Sequence, residues 1–282
     1  MNSIVQSIEE IILSNDRRGI SALKRFLPLD FCKEAAKIIT NKSGNALIIT
    51  GFYIIGAGMP ETDGPAGSLS IGHALTRLGY TVYYVTDKFT ESLLHGLVED
   101  QSKVITFPVM NSSDSQLYAN ELLKKYNPSL LISVERCGSD KAGSYFNKDG
   151  DDISQFNANI DCLFNSHKAT IGIGDGGNEI GMGNVADAIL TIDVLTKNPC
   201  VIKTTKLIIA SVSNWGAYGL VAALSRLAGD NFLPSIEAEG LLIEKMVSIG
   251  AVDGMTAERI ARVDGFTIEE NSRVLSLLHR LI

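Results

Sequence analysis

Residues 169–184 read ATIGIGDGGNEIGMGN, and the interpretation of the chain starts from this stretch. The apolar run 169–173 predicts a buried strand, and a loop that is mostly glycine follows it, with Asp175, Asn178 and Glu179 as its polar residues. Glycine lets the backbone adopt a positive φ and approach a ligand closely, although it weakens helices and strands. The stretch therefore predicts a strand that leads into a ligand-binding loop. A plain strand-to-helix connection is the alternative.

Other short runs read as strands, and the first of them, 46–50, is apolar on both faces, as in a sheet that helices cover on each side. They predict strands over 46–50, 80–86, 103–107, 129–134 and 206–210. Strands that alternate with helices form a mainly parallel sheet. The predicted fold class is therefore α/β, a three-layer α/β/α sandwich with a mainly parallel, Rossmann-like sheet.

Apolar residues at helical spacing predict the helices between these strands. Five predicted helices span 4–14, with Ile4 in its first turn, 30–40, 67–79, 90–98 and 112–126. A sixth carries the apolar stripe Phe156, Ile160, Leu163 and Phe164, and a seventh begins at Ser213 or Asn214. The segment from about Pro234 onward is also predicted to be helical. Asp30 and either Ser213 or Asn214 are the predicted N-caps. Since no linker or repeat is visible, we expect one domain over 1–282, with N-terminal helices in 1–44, a sheet core in 45–228 and C-terminal helices in 229–282.

The composition limits the classes of partner. The chain has 282 residues, a formal net charge of −7 and a pI near 5.2, which argues against nucleic acid or an anionic membrane as the main partner. Four scattered cysteines without a C-x-x-C spacing indicate a reducing compartment and no structural zinc. Glu9 and Glu10 interrupt the first apolar pattern, so it is not a signal peptide, and no apolar run is long enough to span a bilayer. We expect a cytoplasmic protein.

Three polar loops, at 51–67, 135–152 and 174–184, each follow a predicted strand. The carboxyl ends of parallel strands meet at one edge of the sheet, where open α/β folds bind ligands. We therefore expect the three loops to form one shared site.

The first loop carries Glu61, Thr62 and Asp63 in a turn just before a helix. The positive end of the helix dipole favours an anionic group there, while the carboxylates suit a cation or proton transfer; a capped turn is the alternative. Gly56 and Gly58 form a G-x-G pattern that is a weak nucleotide signal, and Asp87 at the end of the next strand suits a ribose or a simple helix cap.

The second loop begins with Glu135, Arg136 and Cys137 at the end of a strand. Arg136 suits a substrate carboxylate through its planar fork of donors, or else a structural ion pair. Cys137 has no histidine in a recognisable pairing motif, so we interpret it as a passive thiol. Carboxylates from these loops also suit a hard cation such as Mg²⁺, although no transition-metal motif is present.

Three motifs together carry a resemblance. ETDGPAG (61–67), ERCG followed by GSYFN (135–147), and GIGDGGNEIGMGNV (172–185) resemble, in this order, the D-glutamate cyclase C-terminal domain family. The resemblance covers about residues 45–225. It implies an α/β domain that converts D-glutamate to 5-oxo-D-proline and water. Larger family members carry a separate hydro-lyase-like domain before this one, which we do not expect within 282 residues.

The resemblance also implies roles for the loop residues. Asp63, Glu135 and Asp175 would be the catalytic acid–base groups, or the ligands of a divalent cation such as Mg²⁺ or Mn²⁺ if one is needed. The substrate, a small anionic amino acid, would be bound by the remaining polar and glycine positions of the loops, namely Thr62, Gly64, Arg136, Gly176, Gly177, Asn178 and Glu179.

Three alternatives stay open from the sequence. The same crevice suits a nucleotide-binding oxidoreductase or a non-catalytic module that binds a small ligand. The chain also suits a non-catalytic subunit that pairs with a hydro-lyase-like domain from another chain. The sequence leaves open whether the protein forms a homo-oligomer.

Overall fold

A six-stranded parallel sheet forms the centre of the molecule. The computed structural model describes residues 6–282, so Ile4, which belongs to the first predicted helix, lies outside the described residues. The strands are β1 (Asn45–Thr50), β2 (Thr81–Asp87), β3 (Val104–Phe107), β4 (Pro128–Val134), β5 (Thr170–Gly174) and β6 (Lys206–Ile209). Their spatial order is β3-β2-β1-β4-β5-β6, the order of doubly wound nucleotide-binding folds, with its switch point between β1 and β4.

Helices connect the strands and extend the chain at both ends. They are α1 (Ile8–Ile12), α2 (Phe31–Thr40), α3 (Pro65–Arg77), α4 (Glu91–Leu97), α5 (Ser112–Tyr126), α6 (Ala186–Ile189), α7 (Ser213–Ala228), α8 (Ile236–Ile249) and α9 (Ile268–His279). Two small hairpins pair Tyr53–Ile54 with Met59–Pro60 and Arg262–Val263 with Phe266–Thr267. Within residues 6–282, no helix combines the length and the apolar character that crossing a bilayer requires.

Alternate residues of β1 pack into two separate hydrophobic clusters, one on each face of the sheet. Ala46 and Ile48 belong to the cluster that contains the apolar faces of α2, α3 and α7. Leu47 and Ile49 belong to the cluster formed with α5 on the opposite face. Successive side chains of a strand point to opposite faces, so β1 is covered on both sides. The predicted three-layer α/β/α fold is confirmed.

The helix predicted through Phe156 and Phe164 is wrong. The structure has two short 3₁₀ helices there, Ser154–Phe156 and Ile160–Phe164. Between them, the backbone N–H of Ala158 donates to a carboxylate oxygen of Asp87 at 3.1 Å, and its carbonyl accepts a bond from Arg136 at 3.0 Å. These tertiary hydrogen bonds take the backbone groups that a continuous helix would need.

Two other helix predictions need correction. The C-terminal segment is not helical throughout, because a loop and the hairpin at 262–267 separate α8 from α9. Asp30 stands at the N-cap position of α2, yet its side chain makes no capping hydrogen bond. Its carboxylate lies 3.9 Å from the ammonium group of Lys33 instead.

The glycine loop after β5 folds back onto its own strand. A Cβ at Gly172 would lie 2.8 Å from the Cα of Gly181, closer than real Cβ contacts come. Gly181 itself has φ of 106°, a value that favours glycine. Both positions therefore need glycine, and this contact brings the end of the loop back against the strand that precedes it.

Candidate functional site

Three carboxylates meet at the carboxyl edge of the sheet. Asp63 lies in the connection after β1, while Glu135 and Asp175 directly follow β4 and β5, the next two strands in the sheet. One carboxylate oxygen from each lies within 4.8 Å of the other two. The structure thus brings together the three residues for which the sequence predicts a catalytic or cation-binding role, and that role stays a prediction.

Asp63 caps helix α7 from another part of the chain. Its Oδ2 accepts the backbone N–H of Ser213 at 2.9 Å, and its Oδ1 accepts that of Asn214 at 2.8 Å. Ser213 and Asn214 are therefore the first residues of the helix and not its caps, which corrects the prediction. Gly64 has φ of 96°, and a Cβ there would lie 2.8 Å from the Cβ of Glu135, so glycine allows this close packing. The positive end of the helix dipole favours a carboxylate at this place.

Glu135 has a backbone conformation that is uncommon for its type. Its φ of 45° lies in the left-handed region, which non-glycine residues seldom adopt. The side chain is 5% exposed, and its Oε2 accepts the hydroxyl proton of Ser213 at 2.5 Å. Such conformations persist where the surrounding structure enforces them, and they cluster at functional sites.

Arg18 is the cation of the site, and the sequence analysis missed it. Its Nη1 lies 2.5 Å from Oδ1 of Asp175, and its Nη2 lies 2.8 Å from Oδ2 of Asp264. Arg18 comes from the segment after α1, and Asp264 from the turn of the hairpin at 262–267. The only local signal is the pair Arg17 and Arg18 directly before Gly19.

Among the described residues, acidic side chains outnumber basic ones at the site. Burial raises the pKa of Asp63 to about 8, with a further rise from Asp264 and an opposing effect of the N–H bonds from α7. Burial and the charges of Glu179 and Asp63 raise the pKa of Glu135 well above its usual range. Burial also raises the pKa of Asp175, although Arg18 opposes this. These carboxyl groups therefore bind protons, or a cation, more readily than exposed acids do.

Glu61 belongs to the same set of acids. Its side chain is 5% exposed, and burial together with the charges of Asp264 and Asp63 raises its pKa well above the usual range. Burial lowers the pKa of Arg18, yet the charges of Asp175 and Asp264 outweigh that effect and hold the pKa well above its ordinary value. Arg18 therefore stays charged among these acids.

A cavity of about 580 Å³ opens onto this group. Arg18, Glu61, Glu135 and Asn178 line it, together with residues from the segments 52–56, 147–151 and 254–257. Asp63 and Asp175 are only 1% and 0% exposed, so they lie beneath the cavity and Glu135 is the member of the three that reaches it. A cavity of this size with convergent polar groups is typical of a small-molecule site.

The predicted amide donors of the glycine loop are already used. The carboxylate of Glu179 accepts the backbone N–H groups of Asp175, Gly176 and Gly177 at 3.2, 2.7 and 2.8 Å. Glu179 therefore closes the loop on itself and is 1% exposed. In this structure neither these amides nor Glu179 faces the cavity, and their predicted substrate contacts stay untested.

Arg136 forms a structural ion pair, but with Asp87 rather than with the neighbouring glutamate. Its Nη2 lies 2.6 Å from Oδ2 of Asp87, its Nη1 donates to the carbonyl of Gly51 at 2.9 Å, and the residue is 1% exposed. Asp87 also accepts the N–H of Phe89 at 3.0 Å. The contact of Arg136 with a substrate carboxylate stays a prediction, and this geometry does not support it. The same hydrogen bonds occupy the carboxylate of Asp87, which was the candidate for binding a ribose.

The remaining predicted residues differ in their position. Thr62 is buried, and its hydroxyl donates to the carbonyl of Arg262 at 2.6 Å, which ties the first loop to the C-terminal hairpin. Asn178 lines the cavity and donates from Nδ2 to the carbonyl of Phe146 at 2.9 Å. Burial raises the pKa of the Cys137 thiol far above its ordinary value, as expected for a passive thiol.

The donor set fits a hard cation. Carboxylate oxygens are the ligands that Mg²⁺ prefers, and three of them converge here. Oδ2 of Asp175 is buried and has no hydrogen-bond partner among residues 6–282, although its Oδ1 is paired with Arg18. Burying a charged oxygen without a partner is costly, so this atom is suited to a cation or to a donor from a ligand.

Comparison with known proteins gives the relationship of the chain. Residues 8–279 match the family described as D-glutamate cyclase-like, C-terminal. Over 249 residues the chain is 30% identical to mitochondrial D-glutamate cyclase of Homo sapiens, an alignment that covers 78% of this chain and 38% of the human protein. The chain thus spans well under half the length of that relative. Because the family match extends over nearly all of the sequence, the chain belongs to the D-glutamate cyclase-like, C-terminal family.

Proposed function

We propose that the protein is a D-glutamate cyclase-like lyase that converts D-glutamate to 5-oxo-D-proline and water. The observation that carries this proposal is the convergence of Asp63, Glu135 and Asp175 beside one cavity, in a chain of this family. The relative that matches is named D-glutamate cyclase, and the substrate is transferred from that name.

The reaction requires two protons to move from nitrogen to oxygen. The α-nitrogen forms a bond to the carbon of the γ-carboxylate, and one oxygen of that carboxylate leaves. The two protons that the ammonium group loses are the two that depart with this oxygen as water, so no proton is gained or lost overall. Groups that accept and return protons beside the substrate are therefore the main requirement.

Glu135 is the residue that we place next to the reacting atoms, because it lines the cavity while its neighbours lie beneath it. A carboxylate at this position takes a proton from the α-ammonium group, and its acid form returns one to the leaving oxygen. Asp63, held by the N-terminus of α7, contributes to the raised pKa of Glu135, and Asp175, held by Arg18, lies within 4.8 Å of it.

The cavity also offers positive charge to an anionic substrate. Arg18 lines its inner part, and Lys148 lines it from the loop 147–151, where its Nζ lies 2.8 Å from Asp149. Without such cations the surrounding acids would repel both carboxylates of glutamate. We place the α-carboxylate near Lys148, whose side chain is 36% exposed.

A divalent cation such as Mg²⁺ or Mn²⁺ is compatible with this site. Asp63, Glu135 and Asp175 are the residues that would hold it. When bound, such an ion would polarise a carboxylate oxygen of the substrate.

The experiment is an assay of purified protein for 5-oxoproline, with D-glutamate and L-glutamate as separate substrates. We expect product from D-glutamate and a large loss in Asp63→Asn and Asp175→Asn, with the exposed-acid variant Asp152→Asn as the control. Equal activity in all four proteins would remove these residues from the mechanism. Thermal stabilisation by NAD or ATP, but by neither glutamate enantiomer, would favour the nucleotide alternative.

A second candidate rests on the length comparison. The human relative extends well beyond the region that matches this chain. In this second candidate function, the chain is a subunit whose activity requires a hydro-lyase-like partner. Absence of product from the isolated protein, with product restored by a co-purified partner, would establish this candidate in place of the first.

A further inference from the structure

A second cleft lies away from the acid cluster, between α3, α7 and α8. Its volume is about 160 Å³, and its walls are mostly apolar. Leu69 of α3, Phe232 before α8 and Leu242 of α8 are among the residues that line it. We call it the α3–α7–α8 cleft. An apolar cavity of about 150 Å³ is large enough to bind benzene, so the cleft has room for a small ring or a short branched alkyl group.

The polar groups of the cleft have unused hydrogen-bonding capacity. Glu239 lines it, is 1% exposed, and has no hydrogen-bond partner for its Oε2 among residues 6–282. Its Oε1 accepts only a long bond, 3.4 Å, from the hydroxyl of Tyr218. Ser70, which also lines the cleft, is 7% exposed, and its hydroxyl has no partner in the same part of the chain. A buried carboxyl group without partners is costly, which indicates that this place suits a ligand with donors.

We propose that the α3–α7–α8 cleft binds a small organic amine, with its apolar body against Leu69 and Leu242 and its ammonium group on Glu239. An ammonium group has three donors and no acceptor, which matches a carboxylate oxygen and a hydroxyl that both lack partners among residues 6–282. An anionic or purely apolar ligand would leave Glu239 unpaired in a dry site. This binding site is separate from the proposed cyclase site and does not depend on it.

Other titratable or charged groups lie in or near the wall of the cleft. His73 of α3 lines the cleft and is exposed, and Tyr218 of α7 is the other titratable group in its wall. Arg77 lies over the ring of Phe232, and His279 bonds to the carbonyl of Pro234 from the side of α9. The two histidines and Arg77 are therefore the groups that would repel an ammonium ion when charged.

The protonation of Glu239 makes the proposal testable by pH. Burial raises the pKa of Glu239 to about 7, with the bond from Tyr218 opposing the rise. The carboxylate fraction then increases about tenfold between pH 6 and pH 8, and the affinity for an amine increases with it. Protonation of a nearby histidine at low pH would also weaken the binding of an amine. His73→Asn and His279→Asn are therefore the controls for that contribution.

The experiment is calorimetric titration of the full chain with benzylamine, beside benzyl alcohol and benzoate as neutral and anionic molecules of similar shape. We expect saturable binding of benzylamine, at least tenfold weaker binding of benzyl alcohol, and none of benzoate. The affinity for benzylamine should rise about tenfold from pH 6 to pH 8 in the parent and in both histidine controls.

Two variants locate the binding. Glu239→Gln keeps the shape of the side chain and should lose both the affinity for benzylamine and its pH dependence. Ala238→Phe fills the cleft from an exposed position without removing a hydrogen bond, and it should also abolish binding while the protein stays folded by circular dichroism. Unchanged binding in either folded variant, or equal affinity for benzylamine and benzoate, would overturn the proposal.

Discussion

Two groups of buried acids lie at the carboxyl edge of one sheet, and they differ in how their charge is balanced. Asp87, at the end of β2, faces one arginine, and its two oxygens accept bonds from Arg136 and from backbone N–H groups. Asp63, Glu135 and Asp175, after β1, β4 and β5, share the cation Arg18 with Glu61 and Asp264. The first group is a matched pair, while in the second the acids outnumber the cation.

This difference in charge balance indicates two roles for buried acids, one in stability and one in activity. A matched buried pair fixes the position of neighbouring loops, and removal of either partner leaves a charge without compensation. A cluster with excess charge is costly for folding, because its members must bind protons or a cation. We therefore expect the pair to matter mostly for stability and the cluster mostly for activity.

The largest effect is expected for activity in the cluster. Glu135→Gln should lower the rate of 5-oxoproline formation from D-glutamate by about 10²–10⁴-fold, the usual contribution of a proton-transferring group. Its free energy of unfolding should not fall, because the substitution removes one of several like charges. Glu121→Gln, an exposed position on α5, is the control and should keep full activity. A fully active Glu135→Gln protein would contradict the assignment.

The next effect is expected for stability in the matched pair. Arg136→Met leaves the buried carboxylate of Asp87 without its cation, and the free energy of unfolding should fall by about 3–5 kcal/mol. Arg77→Met breaks an ion pair with Asp230 whose side chains are 38% and 56% exposed, and it should cost less than about 1 kcal/mol. Urea unfolding of both variants gives the comparison. Similar losses in the two would show that burial does not distinguish the pairs.

Glu239 is a buried acid that forms no ion pair with any residue in 6–282. Its pKa is raised by burial from 4.5 to about 7, so the folded state holds a proton that the unfolded state releases between these values. Stability from this group is complete below pH 4.5 and is lost as the pH rises through 7. Glu239→Gln should therefore gain about 3 kcal/mol relative to the parent between pH 4.5 and pH 8. Parallel stability–pH curves for the two proteins would contradict this.

The smallest effect concerns a cation in the cluster. Mg²⁺ or Mn²⁺ at 100 times its dissociation constant should raise the free energy of unfolding by about 2.7 kcal/mol. Asp175→Asn should remove this stabilisation, whereas Asp87→Asn, in the matched pair, should keep it. Thermal unfolding with and without the ion, at constant ionic strength, measures the difference. If neither ion stabilises the parent, the carboxylates are neutralised by protons instead.

The fold was predictable from sequence because its signals are local. The run 46–50 is apolar on both faces and lies within β1, and 129–134 likewise lies within β4. Loops that follow parallel strands must meet at one edge, so the meeting of Asp63, Glu135 and Asp175 followed from the fold class. The same reasoning could not separate buried acids from exposed ones, because that depends on the packing of distant segments.

The parts that sequence could not predict are long-range. Arg18 and Asp264 reach the site from opposite ends of the chain, and no spacing along the sequence relates them. The missing helix near Ala158 has the same cause, since its backbone bonds to Asp87 and Arg136 override the local periodicity. The cap of α7 comes from Asp63, about 150 residues earlier in the chain.

The close contact of Gly172 with Gly181 has a consequence for how a ligand is received. Because the loop rests on the strand that it follows, its conformation is set before any ligand arrives, and little backbone entropy remains to be lost on binding. Alanine at either glycine would push the loop away from the strand and make its shape variable. The place of Asn178 in the cavity wall therefore depends on the absence of two methyl groups from the loop that carries it.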